Sequence, residues 1–425
     1  MKSLIIKLND ARGSLGGGFG FFVATGLVSL ASFLLNLIVS RLLGPANYGS
    51  FGSLQNAYQV LTVPIMAIAA AITQAEASKE ANGSLGVAIG RALNRFCQAG
   101  LAAVAVLAVI SPVVRSYLHL NSILPVLFLA VSILPAIVTT VLQGVLMGRL
   151  KFRPVAVATL IGTGLGRLIL GVALVELGMG YTGAIAATVI GQIITSVILV
   201  APLWREFRSD GRDRTGIKLR GSLLSISGLL GTWVFISEDT ILTKHFLPSH
   251  EAGLYAASAT AGRIALFLPG AIGQIAFPRF VKSKGHYPAL KRVFWWSLIG
   301  TLGLGSFAAV VLLVLPSLVI RILFGSAYLG GVGVLRILGL EAAALGIITL
   351  LVYFQLAQES ISSQMAWIGV VAAYIGLALF HGTPEDVALV MLVSAGLTTL
   401  PLVFVSIQGL YLTRHQDVIP KSGIT

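Results

Sequence analysis

Arg41-Leu42-Leu43-Gly44-Pro45-Ala46-Asn47-Tyr48-Gly49-Ser50-Phe51 separates the first two long apolar runs of the chain. A degenerate copy returns as His245-Phe246-Leu247-Pro248-Ser249-His250-Glu251-Ala252-Gly253-Leu254-Tyr255. At an offset of 204 residues, Leu43 aligns with Leu247, Gly49 with Gly253, and the aromatic Phe51 with Tyr255. Pro64 follows the first turn and Pro269 the second at nearly the same distance, so each turn feeds an apolar helix with one proline near mid-span. A duplicated hairpin implies a duplicated half, and in membrane transporters such parallel halves flank a central path.

Working outward, the composition places the whole chain in a bilayer. Hydrophobic residues make up 56% and charged residues 10%, with a mean hydropathy of +0.93, against roughly 25% charged in an ordinary soluble domain. The 48 glycines suit close-packed membrane helices, where small residues let backbones approach. A single cysteine, Cys97, excludes an intramolecular disulfide and an all-cysteine metal site.

Apolar windows of about 20 residues are what a helix needs to cross ~30 Å of hydrocarbon. Twelve are expected, near 19–41, 51–73, 95–114, 123–147, 154–177, 182–204, 222–246, 254–278, 294–320, 332–357, 363–380 and 386–410. The expected fold is therefore an all-α integral membrane protein of two pseudo-symmetric six-helix bundles. Residues 1–18 read as an amphipathic cytoplasmic segment with a flexible entry at Gly16-Gly17-Gly18. Residues 19–204 form the N-terminal lobe, 205–221 a cytoplasmic linker, 222–410 the C-terminal lobe, and 411–425 a cytoplasmic tail.

The distribution of basic residues sets the orientation. On the side holding the N-terminus lie 22 of the 29 Lys and Arg residues, an asymmetry that puts both termini in the cytoplasm. The net charge of +14 is thereby explained as topology with some attraction to anionic membrane lipids, and no nucleic-acid partner is expected.

Ionisable and amide side chains inside spans are functional candidates, because burying them in hydrocarbon costs several kcal/mol unless they are paired or hydrated. Counting depth from the external turns places Arg167 level with Gln192, and Glu238 and Asp239 level with Arg263. Asn36, Gln55 and Asn56 form a third layer at similar depth. Together these outline a wet central cavity. The alternatives stay open: Asp239 and Arg263 as a structural pair locking two spans, and Asn36, Gln55 and Gln192 as interhelical glue. Glu341 and Arg336 lie about one turn apart and are expected to neutralise each other, while Glu176 and Lys244 are expected to snorkel at the outer interface. Pro64 and Pro269 are expected to be hinge points, and Pro135, Pro316 and Pro401 also fall inside spans. No P-loop, HExxH motif, His/Cys cluster or nucleophile motif is present, so neither a cofactor, a metal nor an enzyme is expected. Motive force is left to an ion gradient, the substrate's own gradient or a partner.

The Ser40–Phe51 stretch, Glu238-Asp239 ahead of Glu251-Ala252-Gly253-Leu254-Tyr255, Gln143-Gly144 to Lys151-Phe152, and Gly178-Met179-Gly180-Tyr181-Thr182-Gly183-Ala184 resemble polysaccharide biosynthesis flippases. These are members of the multidrug/oligosaccharidyl-lipid/polysaccharide exporter superfamily. The resemblance implies a multi-pass protein of a bacterial or archaeal cell membrane, with a V-shaped cationic cavity. It implies alternating access that carries a polyprenyl-diphosphate-linked oligosaccharide outward, coupled to H+ or Na+. It makes Asp239, with Glu238 and Glu341, the ion-coupling group, and Arg167 and Arg263 the contacts for an anionic sugar or diphosphate, whose oxygens a guanidinium binds bidentately. Expected partners are the lipid-linked glycan and envelope-assembly proteins such as a glycan polymerase. The competing readings are a drug or cation antiporter of the same superfamily, a glycan-polymerising membrane enzyme, which would need a larger external loop, and a non-transporting scaffold.

Overall fold

The computed structural model describes residues 2–77, 86–203 and 223–418, and every regular element among them is helical. An apolar helix satisfies each backbone N–H and C=O within itself, which is what hydrocarbon demands. The helices are α1 (Lys2–Ala77), α2 (Gly86–Tyr117), α3 (Leu124–Gly148), α4 (Phe152–Thr159), α5 (Arg167–Leu174), α6 (Gly180–Val200) and α7 (Leu223–Phe246). They continue with α8 (Ser249–Lys282), α9 (Tyr287–Val314), α10 (Pro316–Leu323), α11 (Val332–Ala357), α12 (Ala366–Leu379) and α13 (Pro384–Val418). Two π-helical segments, Leu160–Gly166 and Val175–Met179, flank α5.

Two apolar stretches are too long for a single crossing. Gly20–Met66 has 47 residues and Phe152–Leu203 has 52, which is about 70–80 Å of helix for ~30 Å of hydrocarbon. Glycine divides both. Gly44 adopts φ 67, ψ 172, and Gly178 has φ 86, a left-handed region that a β-carbon makes unfavourable. α8 bends by 41° between Leu266 and Pro269 and serves as one span. Among the described residues nine spans, counting that bent one, are long and apolar enough to cross. Taking the two divided stretches twice and adding α7, whose Glu238, Asp239 and Lys244 dilute its hydropathy, gives the expected twelve.

Two local expectations are corrected. The span drawn through Pro316 stops at Val314, the backbone turns at Leu315 (φ −121, ψ 36), and Pro316 opens α10. Proline lacks an N–H and suits a first turn better than a helix interior. The flexible entry at Gly16–Gly18 is instead continuous helix from Lys2. Glycine inside a helix costs about 1 kcal/mol against alanine, too little to break a ladder that continues on both sides. The expected linker 205–221 and the end of the tail lie outside the described residues, as do the side chains of 2–19.

Contacts group the chain into two units: Met1–Leu43 with Leu61–Ser222, and Gly44–Val60 with Leu223–Thr425. In the first unit α3 packs between α2 and α6, burying Ile133, Ile137, Val141 and Leu142 with Leu199. Thr73 Oγ1 donates to Gly144 O at 3.1 Å, where the missing side chain of glycine lets α1 come close. In the second unit α11 is central, with α8, α9 and α13 against it. Phe354 on α11 makes edge contacts with Phe280 and Phe294, at ring separations of 5.2 and 4.9 Å.

Residues 44–60, which precede the repeat boundary by far, thus belong with the second unit. Tyr48 is fully buried, its ring 6.0 Å from those of Phe324 and Tyr328 and its hydroxyl 3.2 Å from Thr260 Oγ1. The two copies of the turn meet directly. A β-carbon on Gly253 would land on Pro45 O, and one on Gly49 would lie 2.9 Å from Gly253 N. We expect Gly253→Ala to lower thermal stability by about 1–3 kcal/mol through this overlap. Gly270→Ala, on the same helix with nothing within 4 Å of the added carbon, should be neutral or stabilising in the same melting measurement.

Candidate functional site

The second unit collects most of the ionisable groups that lie inside spans. α7 contributes Ile236, Glu238, Asp239 and Thr240, α8 contributes Tyr255 and Arg263, α11 contributes Glu341, and the 44–60 segment contributes Asn56. Arg263 Nη2 donates to Asp239 Oδ1 at 2.6 Å, to Ile236 O at 2.7 Å and to Thr240 Oγ1 at 3.1 Å, while Nη1 donates to Asn56 Oδ1 at 2.8 Å. Asp239 is held from several sides. Its Oδ1 also accepts from Thr240 N at 2.6 Å and Thr240 Oγ1 at 3.0 Å, and its Oδ2 accepts from Tyr255 Oη at 3.3 Å.

Beside the pair lies a small cavity of about 10 Å³ for the centre of a water-sized sphere, lined by Asp239, Arg263, Glu341, Ile236, Leu338 and Leu345 among others. That is room for about one water molecule. Glu238, Asp239 and Glu341 are all buried, so three carboxylates share this region with one guanidinium. The pair occurs in one repeat only: at the offset of 204, Asp239 corresponds to Leu35 and Arg263 to Gln59.

The other expected site residues are distributed as follows. Arg167 and Gln192 are buried in the first unit, and a β-carbon on Gly191 would sit 3.2 Å from Arg167 Cβ. The π-helix Leu160–Gly166 ends at Arg167. Such wide turns re-aim the residues that follow them and recur at functional sites. Asn36, also in the first unit, donates back to Ser32 O at 2.8 Å on its own helix. Gln55 is half-buried and Asn56 is buried; the latter also donates to Gly52 O at 2.8 Å. Pro269 packs against Gly346, whose added β-carbon would lie 2.8 Å from the proline ring, and Pro64 is exposed within α1.

Two expectations, the pairing of Arg336 with Glu341 and the snorkelling of Lys244, are overturned. Arg336 is exposed whereas Glu341 is buried. Five residues turn a helix by about 500°, which puts the two on different faces. Lys244, expected to snorkel, is 1% exposed and donates from Nζ to Ser249 Oγ at 2.6 Å. The turn after α7 folds the start of α8 over it. Sequence reasoning also missed Thr240 and Tyr255 as partners of Asp239. A signal existed for Tyr255, since the repeat sets it against Phe51 and the extra hydroxyl is what reaches the carboxylate.

The family described as polysaccharide biosynthesis protein matches residues 14–284, well over half of the chain. This chain belongs to that family. Among solved structures, this polysaccharide biosynthesis family member is similar to an inward-facing multidrug resistance MATE transporter of the MOP superfamily, at 12% identity and TM-score 0.73, covering 93% of this chain and 96% of that one. It is also similar to the lipid II flippase MurJ in an inward closed conformation, at 16% identity and TM-score 0.70, covering 94% and 93%. An outward-facing MATE transporter of the same superfamily matches at 13% and 0.63, over 93% and 95%. At such identities the likeness shows a common twelve-helix fold. No curated protein is similar enough in sequence to count as a relative.

Removing Arg263 leaves the charge of the buried Asp239 uncompensated, and because the Arg263 side chain is 22% exposed the cost falls toward the lower end of the about 3–5 kcal/mol of a fully buried pair. We expect Arg263→Ala to lose that order of stability in chemical denaturation of the detergent-solubilised family member. Combining it with Asp239→Asn should recover part of the loss, giving a coupling energy of at least about 1 kcal/mol in a double-mutant cycle.

Proposed function

We propose that this chain flips a polyprenyl-diphosphate-linked oligosaccharide or polysaccharide precursor from the cytoplasmic to the outer leaflet of a cell membrane, by ion-coupled alternating access. The observation that carries the reading is the Asn56–Arg263–Asp239 network beside a water-sized cavity that Glu341 also lines. Its chemistry fits a coupling centre. A cation on the carboxylates alters the hold of Asp239 on Arg263, and a guanidinium so released is free to bind phosphate oxygens through its planar fork. Arg167 would supply a second such contact in the first unit. Family membership supports a saccharide cargo, and one protein of the same fold is a lipid II flippase.

A second reading is a drug or cation antiporter. The surplus of Glu238, Asp239 and Glu341 over Arg263 suits a cationic cargo, and the multidrug transporters share the fold. The deciding experiment uses the purified full chain in proteoliposomes. The flippase reading expects a fluorescent polyprenyl-diphosphate saccharide to cross, faster under an ion gradient. Ion-driven efflux of a cationic drug without saccharide movement would establish the antiporter instead.

In that assay Arg167→Ala should slow flipping by about ten-fold or more, the worth of a charge-assisted hydrogen bond of ~1.5–3 kcal/mol. A rate equal to that of the parent protein would remove Arg167 from the site. Pro269→Ala, which restores a backbone donor at the 41° bend, should slow transport several-fold with little change in melting temperature. Unchanged transport would dismiss the hinge.

A further inference from the structure

Among the three buried acids, hydrogen bonding distinguishes two roles. Asp239 accepts four hydrogen bonds from three residues, one of them a cation, so both of its carboxylate oxygens are engaged. Glu238, its neighbour on α7, is 7% exposed, and its Oε1 has no hydrogen-bond donor. An ionised carboxylate with an unmet oxygen is among the least favourable groups to bury, whereas a protonated carboxyl makes smaller demands.

Among the described residues, the ion pairs Arg263–Asp239 and Lys284–Glu359 leave Glu238 out. The charges that reach it are those of Asp239 and Glu341, both acidic. From α8, Arg263 and Tyr255 are engaged by Asp239. From α12, which packs against α7, the one ionisable side chain is Tyr374, which is exposed. α11 brings Glu341, Tyr353 and the exposed Arg336. The described acids of α13, Glu385 and Asp386, sit in its first turn, where Asp386 accepts from Thr383 N at 2.9 Å; the 3₁₀ turn Ile361–Met365 carries no ionisable residue. Helical spacing adds that Glu238 lies on the α7 face of Ser227 and Gly231, because eleven residues are close to three turns. Ser227 accepts from Trp367 Nε1 at 3.1 Å, and Gly231 lies against the same indole.

The geometry points to Glu238, rather than its neighbour Asp239, as the residue that takes up and releases the coupling proton. The proton is taken from water on one side, forms an O–H bond on the Glu238 carboxylate, and is returned to water on the other, while Asp239 keeps its hydrogen bonds to Thr240 and Tyr255. This rests on the ion-coupled reading above, but its test does not depend on the cargo.

The experiment is an infrared pH titration of the full chain in nanodiscs, following the carbonyl stretch of a protonated buried carboxyl. The wild-type chain should show a band that titrates. The band should vanish in Glu238→Gln, which keeps the shape of the protonated side chain, and persist in Glu341→Gln, an equally conservative change. Survival of the band in Glu238→Gln, its loss in both variants, or a band that responds to Na+ and not to pH would each overturn the assignment. In proteoliposomes, Glu238→Gln should also lose the difference between flipping with and without a proton gradient. If no saccharide moves in wild type, the flippase reading fails while the infrared result still decides the role of Glu238.

Discussion

A half-buried guanidinium beside a buried carboxylate inside a membrane span is tolerated only while both are well engaged, and the bond from Arg263 to Asp239 sets that condition for the second unit. Each group around it answers part of the demand. Ile236 supplies a carbonyl, Thr240 a hydroxyl and an N–H, Tyr255 a phenol, and Asn56 an amide oxygen. Three stretches of chain are held in register by one pair of charges. Apolar packing around α11 supplies the bulk of the cohesion, as it does in any helical bundle, but it is non-directional. The polar network is what fixes which residues of α7 and α8 face one another.

Asn56 gives this network its reach. It lies in the first copy of the repeat, yet the segment that carries it packs with the second copy, its Tyr48 among Phe324 and Tyr328 and its Gly49 against Gly253. The duplicated turn therefore acts as its own packing partner. Charge was placed unevenly between the copies: the acid and the arginine of one are a leucine and a glutamine in the other.

Much of this was legible in the sequence, for identifiable reasons. Span number followed from apolar length, and the level of Asp239 with Arg263 from counting 1.5 Å per residue away from a turn. Both depend on chain-local quantities. Depth counting also put Asn56 in the same layer, although it could not show that the side chains touch. One failure came where a neighbouring helix decides the outcome, and one where nearness in number is not nearness in space. Lys244 looked interfacial because it ends a span, but the opening residues of α8 cover it. Arg336 and Glu341 looked like a pair because they are near in number, but the helix turns them apart. The π-helix ahead of Arg167 has no clear sequence signature beyond its three glycines, Gly162, Gly164 and Gly166.

The contact between Pro45 and Gly253 carries a consequence for the history of the chain. When a gene segment duplicates, its two copies ordinarily drift apart independently, each answering to its own surroundings. Here each copy is part of the other's surroundings, backbone against backbone. A side chain gained at position 253 must be accommodated at 45, and one gained at 49 must be accommodated at 253. Substitutions at these positions are therefore coupled, and related chains that keep the contact should vary at them together or not at all.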